Sequence, residues 1–261
     1  MNDDTIIVID IGAAQFESTV NTYDALTGHA DYHVIAFEPD EEKHRELSTA
    51  YENKPGFKAI KAALGDGSTQ TLNICAHPGR SSLLKPNLEL AKLFDGFAEP
   101  MAIVDTYEID TKRLDDVLPG QRADYIKIDT QGSELSILEN AQAILEECLV
   151  VECEVEFIPQ YQAQPLFAEI EQFLRAQGFQ FHSFAGFGTH HVKPYEPGGN
   201  LEESRREGWI WADAFFIKDP LGWSDLPAPK LRRLATILTA CMKAHDYAAF
   251  AEQVLQADSY K

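Results

Sequence analysis

Residues 5–40, TIIVIDIGAAQFESTVNTYDALTGHADYHVIAFEPD, decide the architecture. The run Ile6, Ile7, Val8, Ile9 reads as a buried strand, Asp10 and Gly12 open a tight turn, an amphipathic helix follows, and residues 34–37 form a second strand ending in Glu38. Strand, helix and strand in this order predict a βαβ unit. Such a unit offers a ligand a glycine turn and a helix N-terminus. Here, about 28 residues after Asp10, it also offers a carboxylate at the carboxyl end of the next strand. Glu38 can accept hydrogen bonds from both hydroxyls of a ribose.

What the turn lacks decides which nucleotide-like ligand it suits. A dinucleotide fingerprint needs glycine at the positions of Gly12, Ala14 and Glu17, so that the backbone can approach a pyrophosphate on the helix end. Two of those three are missing, and Glu17 would set a negative charge beside the pyrophosphate. S-adenosylmethionine carries a sulfonium and no phosphate, so the turn favours it over NAD. An Asp-x-Gly turn before an acidic strand end also occurs in parallel α/β proteins with other ligands, and the rest of the chain has to discriminate.

At 261 residues the chain can bury one sizeable core, and no stretch has the composition of a linker between independent domains. One domain is expected over residues 1–218, with residues 219–261 packed on it as a helical extension. Forty-two acidic residues against 22 basic leave a net charge of −20, which repels phosphate backbones and anionic lipid and argues against nucleic acid as a partner. Cys75, Cys148, Cys153 and Cys241 show no paired metal-ligand spacing, and three of them sit in apolar surroundings as small buried hydrophobes do. With no signal-peptide pattern and no apolar run long enough for a bilayer, the expectation is a cytoplasmic chain without membrane insertion.

Downstream, Asp40 is placed to cap a helix reaching about residue 51, with Glu41 and Glu42 in the first turn where the helix dipole favours them. A strand is expected over 57–63 and another over 69–75, separated by the turn at Gly65-Asp66-Gly67. Residues 76–100, AHPGRSSLLKPNLELAKLFDGFAEP, have the length and composition of a binding loop or lid. The first strand begins almost at the start of the sequence, so this loop and residues 185–208 are the stretches expected to cover a ligand.

The second landmark is ADYIKIDTQGSELSIL, residues 123–138: a strand closing on Asp129, a loop with Gly132, and a helix from about Ser133-Glu134. In a doubly wound sheet this puts Asp129 and Gln131 across one crevice from the first turn. Lys127 points away from Ile126 and Ile128, and a charge in a central strand needs a carboxylate partner, for which Glu152 is the candidate. In CLVVECEVEF, residues 148–157, Glu152, Glu154 and Glu156 alternate and share one face. Glu152 is expected to be buried and Glu156 to end the strand in solvent. A helix over 167–176, strands over 179–184 and 209–218, and two amphipathic helices over 227–257 complete the chain, the last pair offering a packing surface or a homodimer contact. His190 and His191 lack carboxylates at ligand spacing and read as loop surface, so no metal ligands are assigned, and a divalent cation near Asp129 stays open.

Taken together, VIDIGAAQF, AFEPD, SSLLKPN, RLDD, YIKIDTQGSELSIL, VVECEVEF and ADAFFIK resemble the FkbM family of S-adenosylmethionine-dependent methyltransferases over roughly residues 5–218, with KIDTQGSE and RLDD as the specific part. The resemblance implies the class I methyltransferase fold: α/β and Rossmann-like, with a seven-stranded, mostly parallel sheet flanked by helices and its last strand antiparallel. It also implies O-methylation of a hydroxyl on a sugar, polyketide or other small-molecule or glycan acceptor. Ala14 departs from the second glycine that many members carry, which narrows the cofactor site. On this reading Glu38 holds the cofactor ribose, Asp10 and Gly12 face the methionine end, and Ala13, Gln15, Pro39, Ala63 and Asp129 complete the contacts. Asp129 is the first candidate for the base that takes the acceptor proton, Glu152 the second, and His77 in the loop a third. A catalytically silent S-adenosylmethionine-binding module and an NAD-dependent oxidoreductase remain as alternatives.

Overall fold

Strand β1 (Ile6–Ile11) is buried at every position, as expected of a parallel strand covered on both faces, where apolar side chains run on instead of alternating. The computed structural model, which describes residues 3–14, 20–194 and 208–258, builds a seven-stranded sheet around it. β2 (Tyr32–Phe37) and β3 (Phe57–Ile60) add to one edge of β1, all parallel. The chain then leaves the sheet, and β4 (Ala63–Leu64), β5 (Thr69–Cys75) and β6 (Ile103–Lys112) make a separate three-stranded sheet in the order β4-β6-β5. β7 (Tyr125–Ile128), β8 (Val150–Glu156), β9 (Phe179–Thr189) and β10 (Trp209–Lys218) fill the other side of β1. The order is β3-β2-β1-β7-β8-β10-β9, and β10, last in sequence, runs antiparallel to both neighbours. This is the class I methyltransferase fold.

One local expectation is corrected. The strand over 57–63 is split, because β2 ends at Phe37 and offers β3 no partner beyond Ile60; Ala63 and Leu64 pair instead with Thr111 and Lys112 of β6. The helix expected after the first turn falls in part on residues 15–19, which lie outside the described residues; the stretch that follows holds a 3-10 turn, Thr22–Leu26.

Alternation along β1 sends Ile9 and Ile11 to one apolar cluster and Ile6 and Val8 to the other. α1 (Glu41–Ala50) follows β2, with Asp40 accepting the Lys43 N–H at 2.9 Å as its cap. A short α2 (Leu88–Ala91) lies in the long loop. The first cluster is closed by α3 (Leu114–Val117), α4 (Glu134–Glu139), α5 (Gln142–Glu147) and α6 (Phe167–Ala176), through residues such as Ile137, Leu145 and Leu174. The second is closed by α7 (Ala228–Ala240) and α8 (His245–Asp258), with Leu231, Leu234 and Leu238 against Val8, Val34 and Val150. Arg233 fixes α7: its guanidinium, 3% exposed with its residue, donates to Asp124 Oδ1 at 2.7 Å, while Asp124 Oδ2 accepts the Ile7 N–H at 2.9 Å. All four cysteines are free, three of them buried. No helix among the described residues is long and apolar enough to cross a membrane.

Candidate active site

With β2 on one side of β1 and β7 on the other, the carboxyl ends of the strands open a crevice at the switch point. It holds a cavity of about 430 Å³, within the range of small-ligand sites. The main sheet contributes Gly12, Ala13 and Ala14 after β1, Glu38, Pro39 and Asp40 after β2, and Lys127, Asp129 and Gln131 at the end of β7. The second sheet and the loop behind it contribute Ala63, Leu64, Leu72, Ile74, Tyr107, Ser81, Ser82 and Leu83. Of the residues expected to bind cofactor, Gly12, Ala13, Glu38, Pro39, Ala63 and Asp129 are thus brought together, while Gln15 lies outside the described residues.

The turn after β1 is pinned from both sides. The Gly12 and Ala13 N–H groups donate to the Phe37 carbonyl at 3.1 and 3.0 Å, and the Asp129 N–H donates to the Ile11 carbonyl at 3.0 Å. Gly12 has φ +80°, and a Cβ there would stand 1.9 Å from the Asp129 carbonyl oxygen. Both the left-handed backbone and the close approach require glycine. Glu38 is 5% exposed, and burial pushes its carboxyl up to about 7 against the hydrogen bonds it accepts from the backbone of Asp40, at 2.8 Å, and of Ala14.

Asp10, expected at the methionine end, is not among the residues lining the cavity. It is 1% exposed; its Oδ2 accepts the Tyr23 hydroxyl at 2.7 Å and its Oδ1 faces Lys127 Nζ at 3.6 Å. Burial alone would lower the Lys127 ammonium, but the carboxylates of Asp10, then Asp129 and Glu152, outweigh it and hold the charge. Glu152 is therefore not the ion-pair partner of Lys127. Both Asp10 and Glu152 stand beside Lys127 in register, but the Glu152 oxygens are turned to the hydroxyls of Thr22, at 2.9 Å, and of Tyr125. Glu152 is buried and is not among the residues lining the cavity. His77, the third candidate base, is exposed and is not among the residues lining the cavity; its Nδ1 accepts the Gly79 N–H at 3.2 Å and caps a 3-10 turn. Glu156, expected in solvent, is 0% exposed.

Residues 76–100 are anchored to the body and not an open lid. Ser82 Oγ donates to the Gln131 carbonyl at 2.6 Å, Ser82 pairs with Asn73, and Ala91, Phe97 and Met101 pack with Tyr161 and Ile210 in a third apolar cluster. Gln131, expected across the crevice from the first turn, lines the cavity and is also a hub, a role its place in the sequence does not show. Its φ is +58°, a conformation costing a non-glycine residue roughly 1–3 kcal/mol. Its side chain secures it: Nε2 donates to Asp129 Oδ1 at 2.8 Å and to Glu154 Oε2 at 2.6 Å, and Oε1 accepts the Tyr161 hydroxyl at 3.1 Å. Tyr107 was missed; its signal was the alternation of Leu72 and Ile74, since Leu72 and Tyr107 are register partners across the hairpin.

Residues 10–181 match the methyltransferase FkbM domain. No curated protein matches the chain significantly. Similar solved structures include the fibrillarin pre-rRNA processing protein of Methanococcus jannaschii, at 14% identity over 83% of this chain and 67% of that one with a TM-score of 0.38. An rRNA methylase of Streptococcus thermophilus shares 12% identity over 83% and 89% with a TM-score of 0.36. The C-terminal domain of precorrin-6Y C5,15-methyltransferase of Rhodobacter capsulatus shares 11% over 81% and 78% with a TM-score of 0.34. At such identities and TM-scores nothing about ligand or substrate transfers from them. The domain match is of another kind: it spans well over half of the chain and takes in the corner formed by Gly12, Glu38 and Asp129, and the chain belongs to the methyltransferase FkbM domain family.

Proposed function

We propose that the protein transfers a methyl group from S-adenosylmethionine to a hydroxyl of a sugar, polyketide or other small-molecule or glycan acceptor. The observation that carries this reading is Glu38, a buried carboxylate at the carboxyl end of β2 on the wall of the cavity, beside the Gly12 turn. A carboxylate there suits the two hydroxyls of a ribose. The rest of the donor set fits the same cofactor: Phe37, Leu64, Leu72 and Ile74 offer apolar contact to a purine, and Asp40 and Asp129 offer negative charge to a sulfonium where a pyrophosphate would be repelled.

When bound, the cofactor supplies a methyl group already activated by its positive sulfur. Gly12 and Ala13 let the backbone approach closely, and Glu38 fixes the ribose. Positioning of this kind contributes up to about 7–11 kcal/mol. Asp129, on the cavity wall with one oxygen accepting from Gln131, takes the proton that the acceptor hydroxyl gives up, a contribution of about 10² to 10⁴ in rate. Asp10 acts at one remove, holding Lys127 charged on the cavity wall.

Calorimetric titration with S-adenosylmethionine, S-adenosylhomocysteine and NAD tests the cofactor, and turnover on a panel of hydroxylated acceptors tests the reaction. Glu38→Ala is expected to weaken S-adenosylmethionine binding by about 1.5–3 kcal/mol; an unchanged affinity removes Glu38 from the site. Binding of NAD alone would favour the oxidoreductase, and tight S-adenosylmethionine binding without turnover on any acceptor would favour the silent module.

A further inference from the structure

Three carboxylates converge where β7, α4 and β8 meet. Oxygens of Asp129, Glu134 and Glu154 lie within 4.8 Å of one another, and Glu134 and Glu154 are only 1% and 5% exposed. Glu156 comes two residues after Glu154, on the same face of β8. It is 0% exposed, both of its carboxylate oxygens lack a hydrogen-bond partner, and the charges acting on it most strongly are those of Glu134 and then Asp129. Gln164 Nε2, which makes no other hydrogen bond, lies beside it and favours its ionised form. Compensation comes from the Gln131 amide bridging Asp129 and Glu154, from backbone N–H groups of Thr130 and Gly132 on Glu134 at 2.7 and 2.9 Å, and from Arg80, whose guanidinium donates to Gln160 Oε1 at 3.2 Å. Lys127 on the far side of Asp129 is matched with Asp10.

Carboxylates buried together cannot all stay ionised without a counter-charge. A proton on Glu154 would ease the repulsion there and leave Glu156 as it is. Protonated, Glu156 has an O–H without an acceptor; ionised, it has only the Gln164 amide beside it and the charges of Glu134 and Asp129 against it. A cation bound through oxygen answers both needs. We propose that Asp129, Glu134 and Glu154, with the buried Glu156 adding its charge beside them, hold a hard divalent cation such as Mg²⁺, Mn²⁺ or Ca²⁺, for which carboxylate and amide oxygens are the fitting ligands. Spacing in sequence did not show it, because the ligands come from three elements. Asp129 also lines the cavity, so the cation borders the space an acceptor enters. The inference goes beyond the methyltransferase reading, since neither its ligands nor its readout needs cofactor or acceptor.

The test is titration of the whole chain with MnCl₂, following free Mn²⁺ by paramagnetic resonance, and with MgCl₂ and CaCl₂ by calorimetry. One cation per chain is expected, with a Kd of about 10⁻³ M or tighter, the weak end of oxygen-ligand sites, and a rise in melting temperature. Glu154→Gln and Glu156→Gln should each weaken binding at least about tenfold, and Glu156→Gln should take away most of the rise in melting temperature that the cation gives the parent. Glu108→Gln, on the exposed side of β6, should change neither property. No binding at concentrations about tenfold above that Kd would leave the cluster to protons and overturn the proposal. Binding unaltered by both cluster variants would overturn it too, as adventitious association with an acidic surface. Should Glu154→Gln fail to fold, Glu156→Gln decides the matter, because its oxygens have no hydrogen bond to lose.

Discussion

Burial holds Glu38 at about 7, so neutral solution lies on its titration curve. A carboxyl raised above its unfolded value of roughly 4.3 favours the folded state most at low pH; that contribution is complete below the unfolded value and is lost as pH rises through about 7. Asp213, also pushed up to about 7 by burial and by Glu152 and Asp129, acts in the same direction. The free protein should therefore have a higher urea midpoint at pH 6 than at pH 8. Cofactor affinity runs the other way, because the ionised carboxylate is the better acceptor for two ribose hydroxyls. Calorimetry should show S-adenosylmethionine binding weaken as pH falls below 7, by at most about tenfold per unit, and Glu38→Gln should flatten that slope. Asp129→Asn should keep the fold while kcat, measured at saturating cofactor, drops at least about a hundredfold; full turnover would remove it as the base. Gly12, Glu38 and Asp129 were legible in the sequence because each follows a strand whose apolar run fixes where the crevice opens. The partner of Lys127 was not, since register gives it two carboxylate neighbours and only the hydroxyls of Thr22 and Tyr125 decide which one is occupied.

At the level of elements, the sequence showed the main sheet and misjudged what lies beside it. Period two placed Glu152, Glu154 and Glu156 on one face of β8, but a period does not say what packs on that face, and Glu156 is enclosed by the segment carrying Gln160 and Gln164. Residues 76–100 read as a lid because their composition is loop-like, and composition does not register the bridge between Asn73 and Ser82 or the packing of Phe97 and Met101. Their anchoring has a measurable consequence. The amides of Asn73 and Ser82, which donate to each other's carbonyls at 2.8 and 3.1 Å, should exchange slowly with solvent even without ligand. Exchange at Ser82 as fast as at the exposed Gly67 turn would show the loop to be open after all. Ser82→Ala leaves the half-buried Leu84 N–H and Gln131 carbonyl without the hydroxyl they share and should cost about 1–3 kcal/mol in urea unfolding.

For the molecule as a whole, the two apolar clusters on either side of one sheet make folding a single event, and the Arg233–Asp124 pair joins α7 to β1 through the Ile7 N–H. Removing one partner of a buried pair is costly, so Arg233→Ala should lower stability by about 3–5 kcal/mol in urea unfolding with the cavity residues untouched. That pair spans 109 positions in the chain, and its geometry bears on events at the ribosome. The strands are all made by Lys218, whereas the helices that cover the second face end at Asp258. At about 5–20 residues per second the interval lasts roughly 2–8 s, during which Val8, Val34 and Val150 face solvent. A nascent chain stalled in that window presents a sticky half-finished sheet, and its fate depends on chaperones more than on anything encoded in the active site.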